Sequence, residues 1–151
     1  MQNSRYVNLA GNLESYIEGI QSRFTHDVCS RRDELGFELF QFDENEPLSI
    51  TLGHKDIDFL SNESKLIYQN INLKIKSWVS TVDASQPHKF IEELEAWLDN
   101  AIQSWYSSLG LLNSEQPLKI TGSSEPNRQH SASPVWRVIT HRALNLTYQL
   151  D

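Results

Sequence analysis

Between Pro87 and Gly110 lie nine apolar residues, Phe90, Ile91, Leu94, Trp97, Leu98, Ala101, Ile102, Trp105 and Tyr106, that a helical wheel gathers on one side. Steps of three and four residues sustained over residues 88–109 predict an amphipathic helix, and a proline before with a glycine after suits its two ends. A face this apolar is stable only when covered, so the rest of the chain must supply an opposing apolar surface.

Residues 4–30 repeat the pattern through Tyr6, Leu9, Ala10, Leu13, Tyr16, Ile17, Ile20, Phe24 and Val28, which predicts a second long helix. The aromatic run at 36–42, turn composition at 43–47 and strict alternation in Leu48-Ser49-Ile50-Thr51-Leu52 read as a β-hairpin. Residues 64–82 fit two periods. Ile67, Tyr68, Ile71, Ile75, Trp78, Val79 and Val82 share a helical arc, while Ile71-Asn72-Leu73-Lys74-Ile75-Lys76 alternates; the larger number of matches favours a helix, with a strand as the alternative.

After a short strand at 118–121, residues 122–134 hold Gly, Ser, Pro and Asn and read as a flexible loop. In the tail, Trp136, Val138, Leu144, Leu146, Tyr148 and Leu150 fall on one side of an extended chain, with Arg142 among them. Sixteen extended residues would span roughly 50 Å, against about 40 Å for a domain of this length, so a bend is expected near residues 140–142. Together these elements predict one α+β domain over residues 1–151, with three amphipathic helices packed on one face of a mainly antiparallel β-sheet.

The chain has 13 basic and 20 acidic side chains and a formal charge of −7. That balance disfavours general nucleic-acid binding and anionic membranes. No apolar run is long enough for a transmembrane helix and the polar opening residues are unlike a signal peptide, so a cytoplasmic location is expected. A single cysteine, Cys29, permits no internal disulfide.

Motifs that would identify a reaction are not found: there is no phosphate loop, dinucleotide fingerprint or nucleophile elbow. His26 precedes Cys29 by one helical turn, but no oxyanion site accompanies them and no further ligand completes a zinc site. His54, Asp56 and Asp58 would project from one side of a strand as possible metal ligands, with a solvated charged segment as the plainer reading. The tryptophans sit mainly on apolar arcs, so core packing accounts for them better than base stacking. Neither a cofactor nor a metal is expected, and the chain is read as non-enzymatic.

Charge, by contrast, is unevenly distributed. Residues 33–63 sum to −8 and residues 92–116 to −5, while the remainder sums to +6. Were Asp43, Glu44, Glu46, Asp56 and Asp58 to lie beside Glu92, Glu95 and Asp99, they would form one acidic surface able to steer and hold a basic protein, such as a nuclease or another nucleic-acid-binding protein. In size, acidity and α+β build the chain is similar to bacterial immunity proteins that neutralise toxins and to inhibitors that imitate DNA charge. Small secretion chaperones, which dimerise, share those traits. The competing expectation is a small-ligand or enzymatic domain with an aromatic pocket under the 122–134 loop and Arg142 as its anion anchor.

Overall fold

A computed structural model describes residues 8–110, 118–129 and 134–150. The order of elements is α1 (Leu9–Ser30), a single turn α2 (Arg32–Leu35), β1 (Phe37–Phe42), β2 (Leu48–Phe59), β3 (Lys65–Thr81), α3 (His88–Ser108), β4 (Lys119–Thr121), β5 (Ser124–Arg128) and β6 (Val135–Leu150). All strand pairs are antiparallel. The architecture is therefore α+β, with a six-stranded sheet and helices.

The sheet is built on its two longest strands. β3 and β6 pair over sixteen consecutive residues without a register shift, from Lys65 opposite Leu150 to Ser80 opposite Val135. The other edge of β3 carries β2 along Lys65–Ile75 and β1 along Ser77–Thr81. The other edge of β6 carries β4 and β5 in the same end-to-end manner. Six strands thus make four columns, in the order β1/β2, β3, β6, β4/β5.

Three expectations are corrected by this pairing. Residues 36–52 are not a hairpin, because β1 and β2 run in the same direction along one edge of β3; the hairpin is β2–β3, turning at residues 60–64. Residues 64–82 form a strand and not a helix. Ile67, Ile71, Ile75 and Val79 recur at four-residue steps, which satisfy both periods, but Leu73 is equally buried and only alternation puts it on their face. The β-branched content of the run and a neighbour on each side favour the strand. The loop expected at 122–134 is in its first part β5, despite Pro126, which is tolerated because this column is the sheet edge; residues 130–133 lie outside the described residues.

Nor does β6 break near residues 140–142. β4 and β5 keep one register along β6, and the interruption falls between them at Gly122 and Ser123, where His141 N–H donates to the Ser123 carbonyl at 2.9 Å. Gly122 has φ 151°, and a Cβ there would come within 2.0 Å of the His141 carbonyl oxygen, so glycine is the residue this approach allows.

One face of the sheet is buried by α1 and α3. Near the middle of the long strands, Leu13 and Ile17 of α1 and Leu98, Ile102 and Trp105 of α3 meet Ile71, Leu73, Ile75 and Leu144. Toward β1, Phe24 and Val28 of α1 join Phe37, Phe40, Val79, Phe90, Leu94, Trp136 and Val138. Trp105 is 1% exposed, and its Nε1 donates to Asn12 Oδ1 on α1 at 2.8 Å. Trp97 is instead half-buried between the helices, stacked on Phe24 with ring centroids 4.4 Å apart. The fully buried tryptophan of the third helix is Trp105, in its last turn, while Trp97 near its middle seals the gap to α1.

Candidate functional site

The acidic residues singled out from the sequence fall into two groups that the fold separates. Asp43, Glu44, Glu46, Asp56 and Asp58 belong to the β1/β2 edge column. Glu95 and Asp99 of α3 face the opposite half of the sheet, since Glu95 meets Ser124 of β5 and Asp99 meets Arg142 of β6, while Glu92 stands exposed near the start of the same helix. From the β1/β2 column to the β4/β5 column is three strand spacings, about 14 Å. The β1/β2 acids are thus not brought together with Glu95 and Asp99 as the charge map expected.

The group at the edge begins with a bulge. Residues 43–47 leave the β1/β2 column opposite Lys76, which holds both ends: Asp43 N–H donates to the Lys76 carbonyl at 3.0 Å and Lys76 N–H to the Pro47 carbonyl at 2.9 Å. Asp43 organises the turn between them. Its Oδ1 accepts from the backbone N–H of Asn45 at 3.0 Å and of Glu46 at 3.1 Å, and its Oδ2 accepts from Trp78 Nε1 at 3.2 Å. The Glu46 amide, then Trp78, then the Asn45 amide hold this carboxyl below the usual aspartate range, because all three donate to its ionised form. Glu46 pairs with Lys76 at 3.3 Å, while Glu44 stands exposed at the tip.

Farther along, residues 51–60 are exposed throughout. A second irregularity falls between Leu52 and Lys55. The buried Gln69 amide supports it by donating to the carbonyls of Gly53 and His54, each at 3.3 Å. Beyond it Asp56 and Asp58 lie opposite Tyr68 and Leu66, on the sheet face away from the helices. His54 Nε2 is 2.9 Å from Asp56 Oδ2, both side chains being mostly exposed. Among the described residues no three histidine, cysteine or carboxylate side chains converge as a metal site would require.

On α3, two of the three carboxylates are engaged within the fold. Arg142 is 7% exposed, and its Nε donates to Asp99 Oδ1 at 2.7 Å and its Nη2 to Asp99 Oδ2 at 3.4 Å. Glu95 Oε2 lies 3.8 Å from the same guanidinium and accepts from Ser124 Oγ at 2.6 Å. Glu92 alone of the three is exposed. The fork explains why an arginine can occupy the apolar side of β6: its charge is neutralised in place. That commitment removes it from the anion-anchor role expected of it. The groove at Leu39, Trp78 and Val135 on the open sheet face, and the interhelical one at Phe24 and Trp97, are lined by other residues.

The sequence reading missed Glu93, which faces α1 and pairs with Arg31 at 2.8 Å. Together with Asp27 it pushes the Arg31 guanidinium further up, keeping it charged. It also missed the apolar side chains mixed with the edge acids: Leu39 is 69%, Ile57 42% and Phe59 74% exposed. Alternation in Asp56-Ile57-Asp58-Phe59 was the available signal. Cys29 is half-buried against the phenylalanine cluster, and His26 is exposed.

No helix among the described residues is long and apolar enough to cross a membrane. No protein-family model matches the chain, and no curated protein matches it significantly.

Proposed function

We propose that the protein is a non-enzymatic cytoplasmic module that holds or blocks a basic partner protein, of immunity or inhibitor type, through the acidic β1/β2 edge. The observation that supports this reading is the placement of one charge-dense segment along one side of the sheet. Residues 33–63 hold nine acidic side chains and one basic, and they run from α2 through β1 and the bulge to the tip of the β2–β3 hairpin. Glu44, Asp56 and Asp58 stand exposed there, with apolar Leu39, Ile57 and Phe59 close by in sequence. Acidic rim charges set encounter rate and orientation, while exposed aliphatic and aromatic side chains supply contact area.

The test compares the native protein with a variant carrying Glu44→Lys, Asp56→Lys and Asp58→Lys as bait in host lysate, at low and high salt. The native bait should retain a basic protein at low salt and release most of it at high salt, and the variant should lose it at both. Equal retention by the two baits overturns the reading. So does recovery of small molecules alone.

A further inference from the structure

Among the described residues, strand β2 has one neighbour in the sheet, β3. Its last third pairs regularly, from Lys55 opposite Gln69 to Phe59 opposite Lys65. The turn beyond closes with Leu60 N–H donating to the Ser64 carbonyl at 2.9 Å. Along an antiparallel strand, backbone groups point alternately toward and away from the partner. Because Leu60 points toward β3, so do Asp58 and Asp56, and the N–H and C=O groups of Phe59, Ile57 and Lys55 point away from it.

That outward row of donors and acceptors is flanked by side chains of two kinds. Ile57 opposes the buried Ile67, which puts it and Phe59 on the side of the sheet that carries the helices; both remain exposed, at 42% and 74%. Asp56 and Asp58 stand on the other side. Exposed edges with apolar side chains invite pairing with another strand.

We infer that this edge receives the partner as an added β-strand, a basic segment in which lysine or arginine alternates with aliphatic residues. The inference rests on the acidic-edge reading above. An added strand also alternates, so its residues on one side meet Asp56 and Asp58 and are held by opposite charge, while those on the other meet Ile57 and Phe59 and bury apolar surface. The outward backbone groups supply the ladder. A second copy of this chain fits poorly: any two-fold pairing of the edge centred from Lys55 to Asp58 sets lysine against lysine or aspartate against aspartate.

The test titrates three ten-residue peptides against the whole protein by fluorescence anisotropy. One alternates lysine and valine, one has the same composition in two blocks, and one is the alternating peptide with every second backbone nitrogen methylated. The alternating peptide should bind at least ten-fold more tightly than either of the others. Its binding should slow amide exchange at Lys55, Ile57 and Phe59, and the double variant Asp56→Lys, Asp58→Lys should lose it. Equal affinity for the alternating and block peptides overturns strand addition but leaves the acidic edge as an electrostatic surface. Binding of neither peptide, or protection elsewhere in the sheet, also overturns it, and the lysate comparison with the charge-reversed bait then decides separately whether the acidic-edge reading stands.

Discussion

Asp43 shows how much one side chain arranges. Its carboxylate caps two amides of the bulge and accepts from the Trp78 indole, and all three bonds favour the ionised form. The folded-state pKa therefore lies below the ordinary aspartate value of 3.8. A depressed aspartate contributes stability that is fully present above the unfolded pKa and lost as pH falls through the folded one. Denaturation midpoints measured from pH 7 to pH 2 should show Asp43→Asn less stable than the native protein at neutral pH, with the gap closing below pH 3.8. A gap independent of pH contradicts this account. Gly122 is constrained differently, by φ 151° and by the His141 carbonyl. Gly122→Ala should destabilise by about 2 kcal/mol or more, read from urea unfolding, since both the backbone conformation at Gly122 and its close approach to β6 must shift.

Between elements, the helices are tied to each other and to the sheet by different chemistry. Trp105 is enclosed and hydrogen-bonded to α1, so Trp105→Ala should cost about 3 to 5 kcal/mol, and Trp97→Ala clearly less because that ring is half-buried. Equal midpoints for the two variants would contradict the assignment of Trp105 as the central core residue. The Asp99–Arg142 fork joins α3 to β6. Asp99→Ala leaves a buried guanidinium with Glu95 as its remaining carboxylate, and a loss of about 2 kcal/mol is expected, below the full effect of breaking a buried pair because Asp99 is 41% exposed. Urea unfolding reads both. Helices α1 and α3 were legible in the sequence because an apolar face at a 3.6-residue period is a local property. β3 was not, because its isoleucines fall on multiples of four where the helical and extended periods coincide.

At the scale of the molecule, the acids of the β1/β2 edge and the Glu95 and Asp99 carboxylates share a sign but meet different strands. Charge reversal at the β1/β2 edge should slow partner association and flatten its salt dependence, whereas Glu92→Lys, on α3 and outside the edge strands, should change association much less; stopped-flow mixing at two salt concentrations distinguishes them. The local pattern of residues was enough for the helix faces, the alternation of the tail, the α+β class and the concentration of charge in residues 33–63, since each depends on spacing along the chain. Pairing between distant segments settled the rest. β1 and β2 became one edge instead of a hairpin because each found β3, the polar run at 124–128 became a strand because β6 had a free side, and Arg142 was tolerated inside because α3 brings Asp99 within 2.7 Å. Strand pairing between separate segments, and an ion pair such as Asp99–Arg142 across 43 residues, are not local properties, and a one-dimensional period carries no record of which partner a strand or a charge will meet.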